Sequence, residues 1–347
     1  MTKVQETHVM STLKCKLLVL CLAGLAAVVS PLPGQQKLGQ TGMKFLNVGS
    51  DARATAMGEA FTATEASSSS LFYNPAGMAR QKRLVDVMIG QTRWIADINH
   101  QFASVSLAPL DGDFGVVGIS VQFVDYGDLD RTIRDESAPD GYRDLGKFSP
   151  SAFMTGLGYA FELSPKFSVG GNVKYVSQHL GNVITGFDAS NVPQQTRYKE
   201  GVVAFDLGVL YKTGFRSLNF GMTVRNFSSE ARYEHEGFQL PLIFKIGVSM
   251  NVLDLFDSDQ QEHVLMVDVD AVHPRDYPEQ LNIGGEYMFM NFLALRAGYM
   301  FNNDEFGLTA GVGVRKDLGP TFAGLDYSFT PFDVFDDVHR LSIAFSF

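Results

Sequence analysis

The sequence predicts an all-β protein, a 14-stranded antiparallel transmembrane β-barrel with an N-terminal hatch segment. Three observations lead to this prediction. In residues 341–347, apolar and small residues alternate up to Phe347, as in a strand with lipid on one side and a polar lumen on the other. From Leu84 onward, alternating segments of about ten residues recur between turn residues. The N-terminus has the pattern of a secretory signal.

Residues 1–34 have the layout of a cleavable signal peptide, with an open cleavage position. Two lysines precede the apolar run over residues 17–29, and a Pro-Leu-Pro-Gly breaker follows it. This run falls short of the roughly 20 residues that a membrane-spanning helix needs. Both cysteines, Cys15 and Cys21, lie in this segment, so the mature chain is expected to have neither a thiol nor a disulfide.

The composition excludes several classes of protein. Aromatic residues make up 12% of the chain and charged residues 19%, which does not resemble a disordered protein. Loss of residues 1–34 removes a net charge of +2 and leaves −12, so the chain has no basic footprint for nucleic acid. No later stretch is long enough for a membrane helix, and the strand pattern predicts a barrel in the lipid of the bacterial outer membrane.

The predicted barrel covers residues 84–347. Its fourteen strands have boundaries that are accurate to about two to four residues. They span residues 84–96, 100–110, 113–123, 150–162, 165–179, 199–213, 217–227, 240–253, 262–273, 280–290, 293–301, 306–316, 320–329 and 337–347. With an even number of strands, the first strand begins and the last strand ends on the same side of the membrane.

The connections between these strands are of two kinds. Those after even-numbered strands are mostly tight, as at residues 111–112 and 317–319, whereas those after odd-numbered strands are mostly longer and polar. Residues 124–149 and 180–198 are the longest. Because outer-membrane barrels have short periplasmic turns and longer extracellular loops, both long segments are predicted to be loops on the outer side.

The same two-residue period assigns the faces of the strands. On the sixth strand, Val203, Phe205 and Leu207 share one face and are predicted to meet lipid. A lysine or arginine facing lipid at the membrane midplane would cost roughly 2–4 kcal/mol, so charged residues on the opposite faces belong in the lumen. Eleven are predicted there: Lys174, Asp206, Lys212, Arg225, Lys245, Asp268, Asp270, Glu286, Arg296, Arg315 and Asp326. A soluble β-sandwich also produces alternation, but fourteen consecutive strands exceed an ordinary sandwich.

Residues 35–83 form the predicted hatch. They are rich in small residues and too polar to lie in lipid, whereas a wide barrel has room inside. Asn74 and Pro75 are predicted to form a turn within this segment. A free periplasmic extension is the alternative placement. If the segment lies inside, three larger side chains are expected to pack against the inner wall: Phe72, Tyr73 and Met78.

Two stretches of this hatch resemble the opening of the PorV/PorQ family, which is related to the FadL long-chain fatty-acid transporters. They are D-A-R-A-x-A-M-G over residues 51–58 and N-P-A-G over residues 74–77. The family's fourteen-stranded barrel with an N-terminal hatch agrees with the strand count made from periodicity. The resemblance implies hatch or gating roles for seven residues: Asp51, Arg53, Met57, Asn74, Pro75, Ala76 and Gly77.

The resemblance also implies a non-enzymatic role in or near type IX protein secretion. In such systems, PorV-type barrels associate with the secretion translocon and carry secreted cargo proteins to the surface attachment machinery. The alternative is a FadL-like transporter, in which the N-P-A element would gate a hydrophobic ligand such as a long-chain fatty acid. A simple porin, suggested by the charged lumen, is the third hypothesis.

No catalytic residue, cofactor or metal ligand is predicted. The histidines are scattered, and neither a Gly-x-Ser-x-Gly elbow nor an HExxH helix occurs in the sequence. Residues 125–136 have acidic residues at the first and twelfth positions of a calcium-binding loop, but Gly127 and Leu129 stand where oxygen ligands are needed. A solvated outer loop is therefore expected there. Phe347 is predicted to be the terminal residue that directs insertion into the membrane.

Overall fold

The structure is a computed structural model that describes residues 41–187, 193–256, 262–303, 307–332 and 335–347. The predicted signal peptide, with both cysteines, lies outside the described residues. Within the described ranges, no helix combines the length and the apolar character needed to cross a bilayer.

Fourteen strands close into an antiparallel barrel. They are β1 (Val85–Arg93), β2 (Asn99–Leu107), β3 (Val116–Asp125), β4 (Ser151–Ser164), β5 (Phe167–Phe187), β6 (Pro193–Lys212), β7 (Asn219–Ser228), β8 (Ile243–Asn251), β9 (His263–Pro274), β10 (Gln280–Phe289), β11 (Leu293–Phe301), β12 (Leu308–Asp317), β13 (Phe322–Thr330) and β14 (Val338–Ser346). Each strand pairs with the next, and β14 pairs with β1, where Ile343 lies opposite Ile89. The predicted strand number and closed topology are confirmed.

Exposure alternates along the strands, because successive side chains point to opposite faces of the sheet. In β11, Leu295 and Tyr299 are exposed on the outside, whereas Arg296 and Met300 are buried inside. The exposed side chains of the other strands are likewise mostly apolar. A closed barrel pairs all of its strand edges, so this surface can lie in lipid without unpaired backbone groups.

The tight connections lie at the end of the barrel where β1 begins and β14 ends. One of them is a two-residue turn at Met290 and Asn291, both with φ near 51°, as a type I′ hairpin requires. Short turns mark the periplasmic side, so the long connections face outward. At the same end, Phe347 extends β14 through two backbone hydrogen bonds with Val85, of 2.8 and 2.9 Å.

The two longest predicted outer loops contain β structure. The prediction of a loop over residues 180–198 was wrong, because β5 runs to Phe187 and β6 begins at Pro193. The two strands continue as a hairpin beyond the last β4–β5 pair, Ser151 with His179. Outside the bilayer a strand needs no lipid-facing apolar residues, so its polar sequence resembled a loop. Residues 124–149 contain a second hairpin, in which Leu129–Arg134 pairs with Tyr142–Phe148. We call the two the β5–β6 hairpin and the 129–148 hairpin.

Residues 41–83 lie inside the barrel rather than beside it, and we call them the plug. The plug contains one short α-helix, α1 (Ala52–Ala56), and three 3-10 turns, at Lys44–Asn47, Ser67–Phe72 and Pro75–Met78. Its aromatic side chains form a core with the wall: Phe72 meets Phe102 of β2 edge-on, with ring centroids 5.8 Å apart. Met78 is fully buried.

Candidate functional site: the plug and the barrel lumen

The start of α1 is held by polar contacts at Asp51. Its carboxylate caps the helix by accepting the backbone N–H of Arg53 at 2.8 Å, which satisfies one of the helix's free donors. The same oxygen accepts the hydroxyl of Ser342 on β14 at 3.1 Å. The Tyr73 hydroxyl accepts the backbone N–H of Asp51, and burial raises the pKa of Tyr73, so the phenol stays neutral. The helix is therefore fixed to one side of the lumen.

A charged cluster ties α1 to the part of the wall beside this cap, where Asp326 lies directly across from Ser342. Arg53 donates two hydrogen bonds to Glu286 of β10, at 2.7 and 2.9 Å. Glu286 also accepts from Arg296 at 2.5 Å and from Arg315 at 3.3 Å, and Arg296 pairs with Asp326 at 2.7 Å. We call these five residues the latch cluster. Glu286 and Arg296 are almost fully buried, so solvent screens their charges little.

Carboxylates on β9 bind the next segment of the plug. Asp270 accepts the backbone N–H of Phe61 at 3.0 Å and both the N–H and the hydroxyl of Thr62, at 3.2 and 2.6 Å. Asp268 accepts the hydroxyl of Thr64 at 2.6 Å. On β8, Lys245 donates to the carbonyl oxygen of Glu59 at 3.0 Å. These charged wall residues therefore satisfy plug groups that water would otherwise bind.

A third set of polar side chains stabilises an irregular stretch of the barrel wall itself. The pairing of β6 with β7 shifts register between Phe205 and Leu207, where Asn226 adopts φ 62°. Asp206 accepts the backbone N–H of Asn226 at 2.8 Å and pairs with Lys174 at 2.7 Å. Lys174 also donates to the Asn226 side chain at 2.6 Å. The irregular backbone is thus fully engaged by neighbouring side chains.

The two remaining predicted lumen residues lie near opposite ends of the plug. Lys212 pairs with Glu65 at 2.9 Å on the periplasmic side. Arg225 lies towards the outer side, with its guanidinium 5.8 Å from the centre of the Tyr73 ring. The structure therefore places all eleven predicted charged residues in contact with the plug or with one another across the inner wall.

Asn74 joins two parts of the plug to the barrel. Its side-chain oxygen accepts the N–H of Ala76 at 3.2 Å and so caps the 3-10 turn that begins at Pro75. Its amide donates to the carbonyl oxygens of Thr62, at 2.7 Å, and of Val209 on β6, at 3.0 Å. The following Gly77 packs beneath the Thr64 carbonyl. The N-P-A-G element is thus a buried junction.

Replacing Asn74 with alanine is expected to loosen the plug. The substitution removes the partner of the buried Thr62 carbonyl oxygen and of the Ala76 N–H, together with the bond to the half-buried Val209 carbonyl, and each buried group left unsatisfied costs about 1–3 kcal/mol. Hydrogen exchange of residues 62–76 should therefore become faster. The half-buried Asn99 serves as a control, since its side chain donates to the nearby Asp97 carbonyl and not to the plug in the part of the chain that the structure describes. Unchanged exchange in Asn74→Ala would show that the junction does not hold the plug.

A belt of glycines on the inner wall lets the plug approach the barrel backbone. A side-chain carbon at any of these positions would come within 3.0 Å of a plug atom. The belt consists of Gly90, Gly118, Gly158, Gly170, Gly208, Gly221, Gly247, Gly284, Gly298 and Gly311. Sequence reasoning missed it, although glycine at inward positions of strands is a signal of close backbone approach. Met57 lies against this belt, beside Gly284 and Gly298.

Among the cavities that border the plug, two lie at opposite ends of the barrel. The outer one, of about 260 Å³, lies among the extracellular strand ends and is lined by Trp94, His100 and Arg340 among others. The periplasmic one, of about 220 Å³, is lined by Arg53, Asp86 and others. Arg340 was also missed by sequence reasoning, although it shares the inward face of β14 with Ser342.

We expect the reconstituted protein to show no open-pore conductance. The plug is anchored to β6, β8, β9, β10 and β14 and packs against the glycine belt, so the residues that the structure describes leave ions no wide aqueous path of the kind that porins provide. Single-channel recording in planar bilayers tests this. Sustained, porin-like current through the wild-type protein would contradict it and favour the porin hypothesis.

Solved structures with a similar fold include outer-membrane channels. The Pseudomonas putida toluene transporter TodX is 13% identical, with a TM-score of 0.57, and the match covers 86% of this chain and 97% of that chain. The CymD monoaromatic hydrocarbon channel is 13% identical, with a TM-score of 0.54 and coverage of 86% and 98%. The Ralstonia pickettii toluene transporter TbuX is 12% identical, with a TM-score of 0.52 and coverage of 84% and 96%. At this identity the similarity shows the fold alone.

Sequence comparison identifies the family. No curated protein matches the chain significantly. The family model for the type IX secretion system protein PorV matches residues 33–265, which is more than half of the chain and includes the plug and the first eight strands. Both the barrel predicted from periodicity and the family suggested by the hatch motifs are therefore confirmed. The chain belongs to the PorV family of type IX secretion system proteins, and it is an outer-membrane β-barrel with the FadL-like fold.

Proposed function

We propose that the protein is a non-enzymatic partner of the type IX translocon and that it receives secreted cargo on its outer face. One observation carries the proposal: the lumen is occupied by an anchored plug, while two hairpins project from the outer rim. The buried charges of the lumen hold the plug, which supports a structural rather than a catalytic role for them. Family membership supplies the secretion machinery as the general partner.

The hairpins have the properties of protein-binding surfaces. In the β5–β6 hairpin, residues 194–203 of β6 pair with β5 but lie beyond the last β6–β7 pair, Ala204 with Ser228. Such a strand edge can accept an extended segment of another chain through backbone hydrogen bonds. The 129–148 hairpin exposes Leu129 and Tyr142. Apolar side chains outside the bilayer favour a protein partner over open water.

Removal of the 129–148 hairpin tests the proposal. The segment can be replaced by a short Gly-Ser linker, because its flanks are already joined by a hydrogen bond from Tyr126 to Pro150. We expect the variant to fold but to lose translocon or cargo proteins in affinity purification from gently solubilised membranes. As a control, the same linker is inserted in the periplasmic turn Pro109–Gly112. Equal recovery of partners by both variants would refute a role for this hairpin.

Transport of a hydrophobic small molecule is the second candidate function. It is favoured by the Asn74 junction, which joins the plug to β6, and by a fold shared with proteins described as toluene transporters. In that case the purified protein should retain a long-chain amphiphile, and Asn74→Ala should change its uptake by whole cells. Absence of both effects would leave the secretion role as the better supported one.

A further inference from the structure

The plug crosses the lumen once, from the outer side to the periplasmic side. Its first described residue, Thr41, forms a β-bridge with Gln239, which lies in the outer connection 229–242 between β7 and β8. Further along the chain, α1 contacts the middle of β14. At its other end, Arg83 pairs with Asp317 at the periplasmic turn between β12 and β13, at 2.7 Å. The chain therefore enters the barrel at the outer rim and reaches the start of β1 at the periplasmic rim.

Two outer connections hold the start of the plug. They comprise residues 229–242 and 275–279, and we call them the outer clasp. A backbone hydrogen bond of 2.9 Å joins the two connections to each other. The backbone N–H of Gly42 donates to the carbonyl oxygen of Gln239 at 3.0 Å. Gly42 also lies so close to the ring of Phe238 that no side chain would fit at this position. The clasp therefore binds the backbone of the plug where the plug begins.

Asp276 is the charged centre of the outer clasp. Its carboxylate accepts the hydroxyl of Thr41 at 2.5 Å and forms an ion pair with Lys44. The ammonium group of Lys44 also lies 4.6 Å from the centre of the Tyr277 ring. Asp276 is only 1% exposed, so solvent screens its charge little and loss of its partners would leave a buried charge uncompensated. The first residues of the plug are thus fixed at the outer rim.

The charge of the outer clasp matches the segment that precedes the plug. The clasp has five acidic residues and two arginines: Glu230, Glu234, Glu236, Asp276 and Glu279, with Arg232 and Arg275. Residues 35–40, which lie outside the described ranges, contain Lys37 and no acidic residue. Opposite charges favour contact between two surfaces and suppress contact with wrong partners. The acidic clasp therefore favours the segment that adjoins it in the chain.

We propose that the amino-terminal end of the mature chain lies on the outer face of the membrane, beside the outer clasp. The plug itself occupies the lumen below Thr41, so the way back to the periplasm is filled. Glu234 of the clasp accepts a hydrogen bond from Tyr198 of the β5–β6 hairpin. The amino-terminal end thus adds a basic segment to the surface from which this hairpin projects. The proposal does not depend on the secretion role, because it rests on the direction of the plug and the contacts of the clasp.

Thiol labelling of intact cells tests the proposal. Gln36→Cys and Gln40→Cys each place one new thiol in the segment before the plug. The probe is a maleimide on a polyethylene glycol chain that is too large to pass through porins. We expect the cysteine at position 36 to react in intact cells and to retard the protein on a denaturing gel. The wild-type protein, with cysteines only at Cys15 and Cys21, is the blank.

Two exposed positions calibrate the labelling. Asp140→Cys, on the 129–148 hairpin, should react in intact cells, whereas Asp113→Cys, at the periplasmic turn between β2 and β3, should react only after permeabilisation. Labelling of the denatured protein verifies that each new cysteine is kept after the signal peptide has been removed. If cleavage removes residue 36, the cysteine at position 40 is scored in its place.

Proteolysis of intact cells tests the role of Asp276. Trypsin should cleave the wild-type protein after Lys37 but not after Lys44, because the clasp holds Lys44 and Phe45 is buried. Asp276→Asn removes the charge, so cleavage after Lys44 should become about tenfold faster, as loss of a charge-assisted hydrogen bond implies. Glu279→Gln, in the same connection but exposed, should be cleaved as the wild-type protein is. Heat-dependent gel mobility verifies that both barrels are folded.

Three results would overturn the proposal. Labelling of the amino-terminal cysteine only after permeabilisation would place the end in the periplasm. Protection both before and after permeabilisation, with reaction only in the denatured protein, would place it inside the lumen. Equal cleavage after Lys44 in folded Asp276→Asn and in the wild-type protein would refute the clasp. Co-purification of translocon proteins tests the secretion role separately, so failure of one result does not imply failure of the other.

Discussion

Replacing Glu286 with alanine is expected to destabilise the folded barrel by about 3–5 kcal/mol, the range for breaking a buried ion pair from one side. Glu286 accepts hydrogen bonds from Arg53, Arg296 and Arg315. Without it, the three guanidinium groups keep only Asp326 and the more distant Asp51 as nearby carboxylates, so buried positive charge is left uncompensated. The plug loses its bidentate attachment to β10 in the same step.

Equilibrium unfolding in urea, with the protein in lipid vesicles, measures this loss. Glu279 offers a matched control, because it is also a glutamate but lies on the surface. Its side chain is 74% exposed and contacts His273, which is also exposed. Glu279→Ala should change the free energy of unfolding by no more than about 0.5 kcal/mol, as is usual for surface substitutions. Equal losses in the two variants would contradict the role of the latch cluster.

Gly284→Ala is expected to displace the plug, whereas Gly285→Ala is not. The two glycines are neighbours on β10 and face opposite sides of the wall. A Cβ atom on Gly284 would lie 2.7 Å from Cβ of Met57, but one on Gly285 would meet nothing closer than 3.9 Å. Overpacking of this kind costs about 1–3 kcal/mol, occasionally more. The added methyl group therefore acts on the contact between α1 and the wall.

Two measurements follow this displacement. Hydrogen exchange of residues 52–60 should become faster in Gly284→Ala, and current through planar bilayers should show openings that the wild-type protein lacks. Gly285→Ala keeps the same composition and should match the wild-type protein in both assays. Protection of residues 52–60 in both variants would mean that the glycine belt is not needed for the plug to fit.

The two-residue period of the strands predicted the barrel because it shows on which face of the sheet each side chain lies. Val203, Phe205 and Leu207 are exposed on the outside, as expected for lipid contact. The period contains no information on where a strand leaves the membrane, so the continuation of β5 and β6 into a hairpin was not foreseen. For the same reason the 129–148 hairpin was assigned to a loop.

The contacts of the plug could not be predicted from the sequence, for a different reason. The two-residue period placed Asp270 in the lumen among other charged residues, so a side chain of opposite charge was its expected partner. In the structure Lys245 of the neighbouring strand β8 is close enough to act on the charge of Asp270, but the hydrogen bonds of that carboxylate go to the backbone N–H groups of Phe61 and Thr62. These partners are separated from it by about two hundred residues, and only the folded plug brings them together. The hatch motif identified the segment but not its contacts.

We propose that the outer hairpins, rather than the lumen, carry the secretion function. Secretion in the native bacterium tests it most directly, after the gene has been removed and then replaced by variants whose folded amounts in the outer membrane are equal. We expect the wild-type gene and Asn74→Ala to restore cargo to the cell surface, and the variant without the 129–148 hairpin to leave cargo in the periplasm. Normal secretion by that variant, together with loss of secretion in Asn74→Ala, would contradict the claim.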